Sequence, residues 1–188
     1  MTELENQTLR SYLDHVSARK STPGGGAVAA VMAAEACALM NMVANFSDGD
    51  EFAGIVAETS AAIDTLMQAG EDDQAAFKSV MKAYRGEGDM PAALQAAAEV
   101  PARIIKTCMS RLDHLEQLAS RGNANLVSDV AIAALLFDAA IKSSELNILI
   151  NIRELESPPD SLKKVLHDLP SASSRLHYII TTVRTGLL

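Results

Sequence analysis

Residues 27–44 are an eighteen-residue run of Ala, Val, Met, Leu and one Cys, interrupted only by Glu35 and Asn41. Ala and Met are strong helix formers, and nothing in the run alternates with the two-residue period of a strand. A helix that is apolar nearly all round cannot sit on a wet surface; it needs other helices, or a second subunit, on every side. Membrane spans want about 20 strongly apolar residues. Weakly hydrophobic Ala, with Glu35 and Asn41 inside the run, argues against a membrane partner. Val130-Ala131-Ile132-Ala133-Ala134-Leu135-Leu136 also carries no charge, so the middle of a second helix must be enclosed too. Two such helices exceed what one central column of a small bundle needs. Either a single core shields both, or one of them packs against a second subunit; we favour the second arrangement.

The rest of the chain reads as helix as well. Leu9, Tyr12, Leu13 and Val16 repeat at helical spacing ahead of Pro23, which stops the first helix. A second helix is predicted over residues 27–46. Ser47-Asp48-Gly49-Asp50 breaks it, with Asp48 or Asp50 placed to cap a third over 50–85. At 1.5 Å per residue that third helix would run about 50 Å, so a bend is expected at Gly70. Ile55, Ile63, Leu66, Phe77, Val80, Met81 and Tyr84 are its predicted core contacts. Pro91 suits the first turn of a fourth helix that reaches Arg121 with a kink at Pro101. Gly122 ends it, and a fifth follows over 126–155. A last stretch, apolar at Leu162, Val165, Leu166 and Leu169, is interrupted at Pro170 before Leu176, Ile179, Ile180 and Val183. The predicted fold is an all-α bundle of five or six helices with long central members, one domain spanning 1–188.

Composition closes off several functions. A formal charge of −8 lacks the basic footprint of nucleic-acid binding. Hydrophobic residues are 48% of the chain but aromatics only 4%, which suits closely packed helices. Cys37 and Cys108 form no C-x-x-C pair, and the acidic start Met1-Thr2-Glu3-Leu4-Glu5 is not a secretory leader. A reduced, cytoplasmic setting is expected. The four histidines are scattered with no i, i+4 pair, so no metal site is predicted.

Two clusters carry the chemistry. Ser21-Thr22-Pro23-Gly24-Gly25-Gly26 opens directly into the Ala-rich helix, leaving free backbone N–H groups at a helix start. It is neither a dinucleotide fingerprint nor a P-loop. A tight connection would explain it, but three consecutive glycines are entropically costly, and close backbone approach to a ligand or another helix explains them better. About a hundred residues later comes Gly122-Asn123-Ala124-Asn125-Leu126-Val127-Ser128-Asp129, then Asn147-Ile148-Leu149-Ile150-Asn151. One of Asn123, Asn125, Ser128 and Asp129 serves as a cap; the excess suits recognition of a polar heterocycle. Asn147 and Asn151 share a helix face, either satisfied structurally or presented to a ligand. Glu35 reads as a carboxylate needing a partner, such as an interface ion pair.

Together these motifs resemble the cyclodeaminase domain of formiminotransferase-cyclodeaminase and the related stand-alone methenyltetrahydrofolate cyclohydrolases, over about residues 9–155. The resemblance implies a homodimer acting on a folate-type small molecule, with no cofactor beyond the tetrahydrofolate substrate. It also brings in Asp73, because Asp73-x-x-x-Phe77 matches the family's Asp-x-x-x-Phe segment. Asp129 and Asp73 are the catalytic candidates; Asp129 lies at a helix start, a place that suits a carboxylate. Pro23, Gly24, Gly25, Gly26, Asn123, Asn125, Ser128, Asn147 and Asn151 are the substrate-binding candidates. The whole scheme requires the glycine turn and the asparagine-rich entry to converge on one pterin pocket.

The implied reaction is formation of 5,10-methenyltetrahydrofolate and ammonia from 5-formiminotetrahydrofolate. The alternative is hydrolysis of the methenyl compound to 10-formyltetrahydrofolate. The chain departs from the family where members carry a Gly, a basic run and a Tyr after the second helix: here stands Phe46-Ser47-Asp48-Gly49-Asp50-Glu51-Phe52. An anionic glutamate tail would find no cation there, leaving Arg19, Lys20, Lys78, Lys82 and Arg85 as substitutes. The acidic loop also keeps open a non-catalytic folate-binding or interaction dimer.

Overall fold

A computed structural model describes Leu4 and residues 6–188; most of the acidic start read above lies outside the described residues. Seven α-helices follow in order: α1 (Leu9–Ser17), α2 (Gly25–Asn45), α3 (Glu51–Tyr84), α4 (Met90–Met109), α5 (Leu112–Arg121), α6 (Val127–Ile152) and α7 (Asp160–Gly186). A 3-10 turn, Ala124–Leu126, leads into α6, and no strand occurs among the described residues. The all-α bundle with long central helices is as predicted.

α2 packs against α3 on one side and α6 on the other, α4 closes the square against both, and α7 lies along α6. Ala29, Ala30, Ala33 and Ala36 are fully buried on α2, so their small side chains let neighbouring backbones approach closely. Larger groups fill the spaces between helices: Met40, Ile55, Leu66, Ile104, Phe137 and Ile141 are all buried. The principal core draws on every helix from α2 to α7.

Helix starts follow local chemistry. Thr8 caps α1 by accepting the Ser11 N–H at 3.1 Å, and Asp89 caps α4 by accepting that of Ala92 at 3.0 Å. Asp50 occupies the cap position of α3 but accepts no backbone N–H there. Gly49 before it has φ +127°, which accounts for a glycine in that turn.

The structure departs from the sequence reading at several breakers. Gly70 does not interrupt α3; it is buried, and the missing side chain leaves room for Leu4, whose side chain a Cβ there would overlap, rather than marking a bend. Pro101 and Pro170 lie within continuous α4 and α7, because packing on the bundle outweighs the loss of one hydrogen bond. The predicted fourth helix divides at Ser110 and Arg111 into α4 and α5. Within one chain α6 is not enclosed: 33% of its most apolar window is buried, against 56% for α2. Both helices are long and apolar enough to cross a membrane, but each packs against other helices of the bundle, α2 against α3 and α6, and α6 against α2, α4 and α7.

Candidate active site

The glycine turn is one wall of a cavity of about 330 Å³. Ser21, Thr22, Gly24, Gly25 and Gly26 meet Asp73, Phe77, Met81 and Tyr84 of α3, Asn147, Ile150 and Asn151 near the end of α6, and Arg153 and Glu154 just beyond it. Pro23 sets the preceding corner, its peptide bond with Thr22 being cis.

Asp73 and Gly26 form the tightest relationship here. Gly24, the cap residue of α2, has no side chain to accept the helix's free N–H groups. Asp73 does so from the neighbouring helix, with the Ala27 N–H as its donor. Its carboxylate lies so near Gly26 that a Cβ there would overlap it. Gly26 therefore serves helix-to-helix approach, while a side chain at Gly25 would meet nothing, so its backbone is open to the cavity. Burial raises the Asp73 carboxyl above its ordinary value, and the Ala27 hydrogen bond partly offsets this. A carboxyl raised in this way takes up a proton more readily than an exposed aspartate does.

Asn147 and Asn151 reach the cavity as their shared face predicts. Their Nδ2 groups donate to Ser143 O at 2.9 Å and Asn147 O at 2.7 Å. Each keeps its side-chain carbonyl and a second N–H for a ligand. One donor of each amide thus serves its own helix, while both residues line the cavity.

Residues 73, 77, 81 and 84 recur at helical spacing, so one face of α3 supplies carboxylate, ring, thioether and phenol in turn. Phe77, Met81 and Tyr84, predicted as core, are instead 36%, 39% and 55% exposed. They form an apolar wall facing solvent, and only Val80 and Ala83 between them are buried. At the rim the Tyr84 Oη donates to Glu154 Oε2 at 2.9 Å, and that bond raises the phenol above its ordinary value. Arg153 approaches Glu154 at 3.5 Å. None of Arg19, Lys20, Lys78, Lys82 and Arg85 lines the cavity; Arg153 is the cation that does. Neither it nor Glu154 was signalled by a motif, because both follow the end of α6 and depend on where that helix points.

The asparagine-rich entry lies elsewhere. The Asn123 N–H donates to Ser47 Oγ at 2.9 Å and its Nδ2 to Phe46 O at 2.8 Å, fastening the start of α6 to the far end of α2. Its Oδ1 accepts the Asn125 N–H at 3.0 Å, making it the cap of the 3-10 turn. Ser128 and Asp129 begin α6 beside it. The cavity is at the opposite end of α2, about 30 Å away at 1.5 Å per residue. Within one chain, then, Asn123, Asn125, Ser128 and Asp129 do not meet the glycine turn, because α2 and α6 run antiparallel and hold the two clusters at their two ends. Glu35, expected to need a buried partner, is exposed in the middle of α2. Among the described residues no group of three or more His, Cys, Asp or Glu side chains could hold a metal ion.

This arrangement accompanies clear kinship. A methenyltetrahydrofolate cyclohydrolase from Methylorubrum extorquens is 29% identical, the match covering 96% of this chain and 97% of that protein. The formimidoyltransferase-cyclodeaminase of Mus musculus is 27% identical over 87% of this chain, which spans only 34% of that larger protein. The crystal structure of a formiminotetrahydrofolate cyclodeaminase from Thermotoga maritima superposes with a TM-score of 0.86 at 36% identity, covering 97% of this chain and 96% of the other. The model of the formiminotransferase-cyclodeaminase family matches residues 8–166, and the chain belongs to that family.

Proposed function

We propose that this protein is a folate one-carbon enzyme, a formiminotetrahydrofolate cyclodeaminase. The observation that carries the reading is Asp73: a carboxylate raised by burial, held by the Ala27 N–H in the first turn of α2 and facing a cavity with paired amides and an aromatic wall. The pterin ring would lie against Phe77 and Tyr84, with Asn147 and Asn151 pairing its polar edge and Arg153 available to the anionic glutamate tail. N10 attacks the formimino carbon; Asp73 accepts the N10 proton and returns it to the departing nitrogen, which leaves as ammonia. No metal or organic cofactor enters this scheme. The formimino and methenyl groups are amidine-like cations, and the same carboxylate favours both electrostatically.

Methenyltetrahydrofolate cyclohydrolase is the second reading, supported by the full-length relative of that name. There Asp73 would draw a proton from water attacking the methenyl carbon. We assign the working form as a homodimer in a reducing cytoplasm, in keeping with the exposed apolar face of α6 and with Cys37 and Cys108, both buried and free.

The near-ultraviolet absorbance of methenyltetrahydrofolate tests these readings. Its appearance from the formimino substrate supports the cyclodeaminase, and its accelerated disappearance the cyclohydrolase. Folate binding with neither reaction would return the protein to a non-catalytic module and overturn both.

A further inference from the structure

Glu71, Asp72 and Asp73 are three adjacent carboxylates on α3, held by three different parts of the chain. Asp73 accepts the Ala27 N–H of α2. Asp72 is paired with the Arg103 guanidinium of α4. Glu71 Oε1 accepts the Leu4 N–H at 2.7 Å. Successive side chains of a helix point about 100° apart, so the three bonds together resist rotation of α3 about its own axis. Leu4 makes a second contact beside its bond. Its side chain is 6% exposed and fills the notch left by Gly70. A Cβ on Gly70 would stand 2.7 Å from Leu4 Cδ1, an overlap, but 3.5 Å from Ala30 Cβ and 3.8 Å from Ala27 Cα, which are ordinary contacts. Leu4 therefore packs where α3 meets the first turns of α2, and Gly70 lies three residues before Asp73 on the same side of α3. The Gln7 N–H donates to Leu4 O at 3.4 Å, and Gln7 Oε1 lies 2.9 Å from His15 Nδ1, so α1 keeps the segment in place.

We infer that Leu4 is a positioning residue for Asp73: seated in the Gly70 notch, it clamps the corner between α2 and α3 and keeps water from the back of the carboxylate. Leu4 is not part of the cavity wall, so it acts through Asp73 and not on a ligand. Two properties of Asp73 depend on the clamp. One is its direction, fixed by the Ala27 N–H; the other is its burial, which raises the carboxyl above its ordinary value. The charged groups around it are Arg153 and Glu154 at the rim, which approach each other, and Glu71 and Asp72 on its own helix, engaged by Leu4 and Arg103. Shortening the Leu4 side chain leaves all of these bonds in place and alters only the packing behind Asp73.

That turnover depends on this seat rests on the folate reading; that Leu4 holds Asp73 does not. Leu4→Ala keeps the N–H to Glu71 and removes the wedge. With 13C-labelled aspartate, and Asp73→Asn to identify the resonance, the Asp73 carboxyl of this variant should titrate nearer its ordinary value of 3.8 than in the native chain. Circular dichroism should show the helices intact; if Leu4→Ala loses helix, Leu4→Val carries the same readings. In the methenyl absorbance assay kcat should fall about tenfold with KM unchanged, the acid limb of its pH profile should move to lower pH, and Leu4→Met should restore most of the loss. Gly70→Ala, whose Cβ displaces Leu4, should reproduce these effects. Combined with Leu4→Ala its penalty should not add, because the new Cβ then meets only ordinary contacts. An unmoved Asp73 titration in the folded variant, an undiminished kcat or additive penalties would overturn the proposal. If the native chain turns over no folate, the proposed reaction fails while the carboxyl titration still decides whether Leu4 holds Asp73.

Discussion

The carboxylate of Asp73 occupies the space that a side chain at position 26 would need, and Gly26 is the residue that leaves it there. Because Asp73 also accepts the Ala27 N–H, the two residues fix the angle at which α3 meets the start of α2.

Gly26→Ala is therefore expected to push Asp73 off the helix start while the bundle still folds. Lost positioning of a reacting group should lower kcat about 100-fold, with stability reduced by about 1–2 kcal/mol. Circular dichroism melts and the methenyl absorbance assay check both. Undiminished turnover would show that Asp73 need not be held.

Asp73→Asn separates chemistry from stability. Burial raises the folded carboxyl above its ordinary value of 3.8, so the protonated form is the one the fold favours. The stability this group contributes is fully present below the unfolded value and is lost as pH rises through the raised folded value. At neutral pH the ionised group thus weighs against folding, and the neutral amide should melt no lower than the native protein while turnover falls at least 100-fold. In the native enzyme kcat should drop as pH falls through the raised value, since the base becomes protonated.

Tyr84→Phe removes the bond to Glu154 at an exposed rim. Surface bonds of this kind contribute little, so the melting temperature should stay close to that of the native protein. A rise in KM without a fall in kcat is the expected kinetic effect, because in the proposed placement of the pterin the phenol would touch the ring rather than the reacting atoms.

Asn151→Leu keeps volume at the cavity wall but removes its amide. Binding of a folate analogue, followed by fluorescence, should weaken about tenfold or more, the usual effect of leaving a polar ligand edge unpaired. Unchanged affinity would move the pterin away from α6.

Phe137→Ala probes the core away from the cavity. The ring is fully buried where α6 meets the bundle, and its removal should cost about 3–5 kcal/mol in urea unfolding. Activity per folded molecule should be unchanged.

Helix content and the glycine turn were legible because local chemistry decides them: the run at 27–44, apolar but for Glu35 and Asn41, is too apolar to lie on a wet surface, and among the three glycines Gly26 leaves room for a close neighbour. That neighbour, Asp73, could be named through its Asp-x-x-x-Phe77 context. Phe77, Met81 and Tyr84 were misread as core because periodicity reports that a face is apolar, not whether another helix covers it. Gly70, Pro101 and Pro170 misled for the opposite reason; local breakers were outweighed by burial on both sides. The position of Asn123 was not legible at all, since it depends on bonds to Phe46 and Ser47 some seventy-six residues away.

α2 bears the Gly26–Asp73 corner at one tip and the Asn123 anchorage at the other, so it acts as a ruler. Adding or deleting one residue between them would swing one tip about 100° relative to the other and shift it by about 1.5 Å. Insertions and deletions among functioning descendants of this chain should accordingly spare residues 25–45 and fall in connections such as 85–89 and 153–159.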